Sequence, residues 1–320
     1  MTEPVTGSAA LDRLLATVSV APLGDDRFRG AGSTADGVDA TFGGHFLAQA
    51  VSAALATVEP GWSLHSIHAH FVRAGRPRTP FLLDVERIRD GRSFALRRVR
   101  THHPAGDDPT GDEPDGRLLF ELTASCTRTG PGDAATPRHQ GLAAPDDLAA
   151  LPSPESLPSY PELMRSLDPL PLPTEWALRD YGLDVRTVNA PWVPAGLSPT
   201  GGIRLWVRAD GSVPDEPGLH TALLAYQSDE SLADNVAVPW GATWGGEGVV
   251  FVSLDHAMWF HRPIDLNRWH LLDQRPVVVD GERGLAAASL WTADGELVAS
   301  VTQEAMFRLD DDFEPYPTPG

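Results

Sequence analysis

The strongest constraint on this chain is that one order of elements runs through it twice. In the first half, Phe42-Gly-Gly-His45 opens an amphipathic helix reaching about Val58, with Phe46, Leu47, Ala50, Val51 and Ala54 at helical spacing. Strand-like runs follow at 63–73, 79–89, 93–101 and 117–127, with Asp90-Gly91 as a turn signal between the second and third. The second half gives a strand at 202–208, a helix at about 219–227 and strands at 249–262 and 269–280. A hairpin closes it, its arms at 284–292 and 296–309 joined by Asp294-Gly295. Residues also match: Ala69-His-Phe-Val-Arg73 stands where Met258-Trp-Phe-His-Arg262 stands later, and the run from Gly116 to Ala124 corresponds to Gly295 to Gln303. One helix beside antiparallel strands, repeated, predicts an α+β fold in which each of two sheets wraps its own helix.

The breaks fit that division. An acidic segment, Pro104 to Gly116, lies between two strand-like runs and reads as an extended hairpin loop. The Pro-, Ala- and Ser-rich stretch 130–173 reads as a linker, separating an N-terminal domain (1–129) from a C-terminal domain (174–320). A third long loop, 231–248, carries Gly and Trp between a helix and an apolar strand, a setting in which loops often serve function. The 320 residues suffice for two domains of ordinary size.

Charge and cysteine usage narrow the function. All 25 basic residues are Arg, and 44 acidic residues leave a formal charge of −19, which repels nucleic acid and anionic lipid. The single cysteine, Cys126, makes no intrachain disulfide and reads as a small buried hydrophobe in a reducing compartment. Residues 1–18 have neither the basic start nor the apolar run of a signal peptide or spanning helix, so a cytoplasmic protein without membrane partners is expected. No Gly-x-Ser-x-Gly elbow or phosphate loop occurs, and Gly246-Glu-Gly248 precedes a strand where a dinucleotide turn would follow one. His65, His68 and His70 lack a third ligand from a known motif, so no metal is assigned.

Several motifs together carry a resemblance. Phe42-Gly-Gly-His-Phe-Leu-Ala-Gln49, the run His65 to Arg73, Asp90 to Val99, Leu223-Leu-Ala-Tyr-Gln-Ser-Asp229, Leu254-Asp-His-Ala-Met-Trp-Phe-His-Arg-Pro263 and Val301-Thr-Gln-Glu304 resemble, in that order, the acyl-CoA thioesterase II (TesB-like) family. The resemblance covers about residues 40 to 308 and is most specific in the Asp-His-x-Met-Trp-Phe-His-Arg-Pro run. It implies a double hotdog fold, hydrolysis of acyl-CoA without a cofactor, and a catalytic set of Asp229, Ser253 and Gln303 in the second half. Here Ser253 replaces the commoner Thr, His45 stands where Gln is common, and Ala74 stands where Pro often follows the Arg. Gly43, Gly44, His45 and Trp259 join the substrate-contact candidates. Arg73 and Arg76 open the densest basic stretch, where CoA phosphates or the surrounding acids are the alternative partners.

The residue types suit the chemistry. A thioester is already activated, so hydrolysis needs an oriented water, a base and donors for the developing oxyanion, with no acyl-enzyme. Asp229 would take the water proton while Ser253 and Gln303 fix the water's position. Strand alternation puts Phe251, Ser253, Asp255 and Trp259 on one face, and Val301, Gln303, Ala305 and Phe307 on one face of the last strand. The first-half positions matching Gln303 and Ser253 are Ala124 and about Leu64, so only the second half keeps the polar set. Asp255 and His256 face opposite sides of a strand, which favours structural hydrogen bonding over a dyad. Apart from the resemblance, Asp229 would read as a cap or loop carboxylate, Ser253 as a small strand residue and Gln303 as an edge amide. Two other functions fit the same fold: an enoyl-CoA hydratase or dehydratase, and a non-catalytic acyl-CoA-binding protein. Sheet edges suggest a homo-oligomer.

Overall fold

In the computed structural model, residues 8–33, 40–106, 116–128, 138–180 and 182–316 are described. The first half contains helix α1 (Ala9–Val18), strands β1 (Val20–Gly24) and β2 (Arg27–Gly30), helix α2 (Gly43–Leu55), and strands β3 (Ser63–Phe71), β4 (Phe81–Asp90), β5 (Phe94–His102) and β6 (Phe120–Thr127). After the short helices α3 (Tyr160–Arg165) and α4 (Thr174–Ala177) come strands β7 (Leu183–Asn189) and β8 (Arg204–Ala209) and helices α5 (Pro217–Ser228) and α6 (Asp234–Ala237). Strands β9 (Val249–Ser253), β10 (Asp255–Phe260), β11 (His270–Asp280), β12 (Arg283–Thr292) and β13 (Leu297–Leu309) complete the chain. The strand order is β1-β2-β4-β5-β6-β3-β10-β13-β12-β11-β8-β7, with β9 added on β13. Each half keeps its strands together, and the halves join where β3 pairs antiparallel with β10, His70 opposite Asp255 and Ser66 opposite Trp259. The two matching segments of the repeat therefore meet at the centre of one sheet. Residues 107–115 of the acidic loop lie outside the described residues, while the strands flanking it, β5 and β6, pair as a hairpin would.

Helix α2 is rich in Ala and buried on nearly every side, as a helix enclosed by a sheet must be. It packs against α5 closely enough that a Cβ on Gly44 would lie 2.3 Å from the Tyr226 carbonyl oxygen, so the Gly-Gly pair sets the helix separation. Strands alternate where one face is covered; β6 alternates buried and half-buried residues throughout. Pro276, which cannot donate to a ladder, falls where the β11–β12 register shifts.

The expected strand 249–262 is broken at Leu254. The Leu254 N–H donates to the Glu304 carbonyl (2.9 Å), and the Asp255 carboxylate accepts the Glu304 N–H (2.8 Å), replacing a backbone partner. The break reverses the alternation. Before it, Phe251 and Ser253 face inward while Val250 and Val252 are exposed; after it, His256, Met258 and Phe260 are buried. Ser253 and Trp259 consequently do not share a face.

Residues 138–173 are docked along much of their length. Leu148, Leu151 and Leu157 cover a small cluster of Val188, Trp206, Leu271 and Trp291 on the outer face of the second half of the sheet. Asp147 pairs with the buried Arg204 (2.7 Å), and the Trp206 indole donates to the Pro152 carbonyl (3.2 Å). The covered cluster explains how this outer face can carry two Trp residues.

Candidate active site

Asp229 is the residue at which α5 ends. The loop after it crosses the inner face of the second half of the sheet, and two strands bring side chains to meet it. Gln303, inward on β13 and fully buried, donates through Nε2 to Asp229 Oδ1 at 2.5 Å and to Ser253 Oγ at 3.0 Å. Ser253 reaches this point because β9 lies along the far end of β13, with Ser253 opposite Ala305. The structure thus brings together the three residues expected from the motifs, drawn from a helix end and two strands.

The head of α2 completes the enclosure. The Gly44 backbone N–H hydrogen-bonds to the Asp229 carboxylate, and a Cβ on Gly43 would lie 2.4 Å from Asp229 Oδ2. A helix N-terminus favours an anion, and so does the Gln303 amide. Burial opposes them and wins: Asp229 is 8% exposed, and desolvation, aided by the neighbouring Glu230 charge, pushes its pKa up to about 7. A carboxylate poised there is a competent base near neutral pH.

A further buried polar residue is His256. Gln303 Oε1 and His256 Nδ1 are both buried and unpaired, and burial, outweighing a raising effect from Gln303, drives the His256 pKa down to about 3. On its other side His256 Nε2 meets Ser228 Oγ at 2.9 Å. Gln303 turns its amide hydrogens to Asp229 and Ser253. Sequence spacing disfavours a direct Asp255–His256 dyad but gives no sign that His256 lies buried on the inner face with Gln303, because that placement depends on the strand break.

The polar group opens on a cavity of about 260 Å³ lined by Phe42, Gly43, Leu172, Trp176, Trp244 and Phe251, among others, together with Asp229 and Ser253. Ala74 also lines it, and Arg73 and Arg76 flank Ala74 as exposed residues; the Arg73 guanidinium donates to the Leu118 carbonyl at 2.8 Å. Two candidates lie elsewhere. His45 is buried on α2, its Nε2 2.8 Å from the Ala31 carbonyl oxygen and 2.9 Å from Gln49 Nε2, and burial drives its pKa down to about 4. It is an internal strut away from the cavity. Trp259 projects from the outer face of β10 against His68, ring centroids 5.3 Å apart, because of the reversal at Leu254. Cys126 is buried, with its thiol pKa pushed up to about 11, unsuited to nucleophilic attack.

Two further acids close to Asp229 in sequence, which its motif does not mark, enter the cavity wall. Glu230 and Asp234 both line it, and burial raises the pKa of each, that of Asp234 to about 8.

A sheet-wrapped helix pair with a buried Asp–Gln–Ser group at the end of one helix defines a double hotdog protein of the thioesterase class. The chain belongs to the acyl-CoA thioesterase family: residues 32–127 match the model of its N-terminal domain and residues 145–307 that of its C-terminal domain. It is 30% identical over 316 residues to human acyl-coenzyme A thioesterase 8, covering 92% of this chain and 89% of that one. The solved acyl-CoA thioesterase II TesB2 of Mycobacterium marinum is 30% identical with a TM-score of 0.69, covering 94% of this chain and all of that one. A hot dog-fold protein of Alicyclobacillus acidocaldarius superposes with a TM-score of 0.71 at 18% identity over 93% of this chain and 98% of its own, a likeness of fold. Among the described residues, no helix is long and apolar enough to cross a membrane.

Proposed function

We propose that this protein hydrolyses acyl-CoA to the free acid and CoA by an activated water, with Asp229 as the base. The observation that carries the reading is the single amide of Gln303, which bonds both Asp229 and Ser253 at the wall of an apolar cavity. A water held by Asp229 and Ser253 would lose its proton to the carboxylate as its oxygen attacks the thioester carbon. The Ser253 oxygen already accepts from Gln303, so its own hydrogen is free to direct the water or the developing oxyanion. Gly43 lines the cavity at the first turn of α2, where backbone N–H groups and the helix dipole suit the negative charge that develops on the carbonyl oxygen. Collapse of the tetrahedral intermediate expels the CoA thiolate, and the proton held by Asp229 can pass to it. The acyl chain would occupy the apolar cavity, and Arg73 and Arg76, exposed on either side of the cavity-lining Ala74, would meet the CoA phosphates.

The test is release of free thiol from acyl-CoAs of increasing chain length by the wild type and by Asp229→Asn. Release that falls about a hundredfold or more in the variant supports the reading. Release undiminished in Asp229→Asn would remove this base. No release from any chain length would favour the hydratase or binding alternatives.

A further inference from the structure

Three carboxyl groups line the cavity: the proposed base Asp229, its neighbour Glu230, and Asp234 at the start of α6. Four aromatic side chains, Phe42, Trp176, Trp244 and Phe251, stand around them. Such a wall is unlike a plain hydrocarbon binding site, because carboxyl groups beside an alkyl chain stay desolvated without compensation.

Glu230 is compensated from within. Its Oε1 pairs with Arg179, whose guanidinium lies over the Trp176 ring, 3.3 Å from the centroid, and donates to the Trp176 carbonyl at 3.0 Å. This wall therefore already holds one cation between an indole and a carboxylate. Asp234 has no such partner: among the described residues nothing hydrogen-bonds or ion-pairs with its side chain, and its electrostatic neighbours are the like-charged Glu230 and Asp229. With Leu172 and Glu230 it lines both the main cavity and a compartment of about 20 Å³ that Tyr160, Trp192 and Ile203 also line.

We infer that the acyl group selected by this site carries a cation, an ammonium or quaternary ammonium, which seats against Asp234 among the aromatic rings. Asp234 is then the specificity-determining residue. The inference rests on the hydrolase reading above. A cation there pairs the uncompensated carboxylate inside an aromatic-lined cavity, and its field favours the ionised, basic form of Asp229. An acyl chain ending in a carboxylate would do the reverse on both counts. A neutral alkyl chain would fill the cavity but leave Asp234 desolvated and unpaired.

The experiment compares three CoA thioesters of similar length: (trimethylammonio)butanoyl-CoA, its neutral isostere with a tert-butyl group in place of the trimethylammonium, and a chain ending in a carboxylate. The wild type should favour the cationic substrate over its isostere by about tenfold or more in kcat/KM, and should disfavour the anionic one. Asp234→Leu should bring the cation-to-isostere ratio to about one, whereas Asp234→Glu should keep it well above one. The ratio of two substrates on one preparation does not depend on the fraction folded. A wild type that prefers the neutral isostere, or an equal ratio in wild type and Asp234→Leu, would overturn the inference while leaving the hydrolase reading intact. No thiol from any of the three, nor from simple acyl-CoAs, would overturn both.

Discussion

At matching places the two halves of this molecule use opposite solutions. In the first, Arg97 on β5 lies opposite Ala124 on β6; in the second, Ala286 on β12 lies opposite Gln303 on β13. The long and short side chains have changed strands. Arg97 is buried and fills the end of α2, donating to Thr57 Oγ1 (2.8 Å) and to the Arg89 carbonyl (3.0 Å), with Asp90 as its counter-ion (2.5 Å). Gln303 reaches instead toward the end of α5, where Asp229 and the cavity lie. The polar layer extends inward: His256 occupies the strand position that Ile67 occupies in the first half, in the repeat that matches Ala69 with Met258. One helix end is plugged by a guanidinium with its own carbonyl partners, and the other is left with a carboxylate and an open space. A duplicated fold can thus keep one copy for stability and spend the other on chemistry.

The largest expected effect separates these roles. Gln303→Ala should lower kcat about 10²- to 10³-fold, since it frees both Asp229 and Ser253. Combined with Asp229→Asn it should cost little beyond the more severe single change, because the two act as one unit. Additive losses in steady-state kinetics would show that they work independently.

Arg97→Leu is the counterpart. Removing the guanidinium leaves the Thr57 and Arg89 carbonyls without their donor and should cost about 3–5 kcal/mol of stability, read from urea unfolding. Turnover per folded molecule should hold. A collapse of kcat in a fully folded variant would break the division between a structural and a chemical half.

Acidity sharpens the same contrast. In the first half, Asp26 is held below its ordinary pKa chiefly by its hydrogen bond with Arg87, so its contribution to stability is present above the ordinary carboxylate range and lost on acidification. Asp229 has its pKa raised from 3.8 to about 7, so the folded state binds the proton more tightly than the unfolded chain. Its contribution is complete below about pH 4 and is lost as pH rises through about 7. Activity runs the other way: kcat/KM should climb about tenfold per unit of pH below 7 and level off above it. Asp229→Asn should therefore raise the melting temperature more at about pH 8 than at about pH 5. Equal effects at the two values would mean that burial does not perturb this carboxyl.

Much of this contrast is legible in the chain. The doubled element order and the helix head at Gly43 follow from spacing and motif, and the grouping of Asp229, Ser253 and Gln303 from the family resemblance. What escaped depends on contacts between distant segments. Alternation carried through 249–262 puts Trp259 beside Ser253, but the Asp255 carboxylate accepts the Glu304 N–H and reverses the strand's faces at Leu254. His45 stands next to the Gly-Gly pair in sequence yet a turn of helix turns it inward, where Gln49, four residues on, already marked a buried polar pair. Helix α1 and strands β1, β2 and β7 have short or weakly patterned sequences whose structure comes from tertiary pairing. Nothing in the spacing around Glu230 and Asp234 marks them as cavity residues, because burial by a cavity leaves no periodic trace.

The smallest expected effect tests whether the hydroxyl or its rotamer matters at Ser253. The Gln303 amide fixes one side of this oxygen at 3.0 Å, but a Ser side chain at the end of a short strand keeps more χ1 freedom than a β-branched one. Ser253→Thr should restrict that freedom while keeping the donor, changing kcat by no more than about threefold, provided the added methyl finds room beside Phe251 and Ala305. Ser253→Ala should lose about tenfold, since Gln303 and Asp229 would still hold one another. If Thr and Ala lower kcat equally, the methyl and not the missing hydroxyl governs the loss, and Ser253 belongs to the cavity wall. If Thr retains activity where Ala does not, the hydroxyl acts on the water, and the second half differs from the first by three polar groups rather than two.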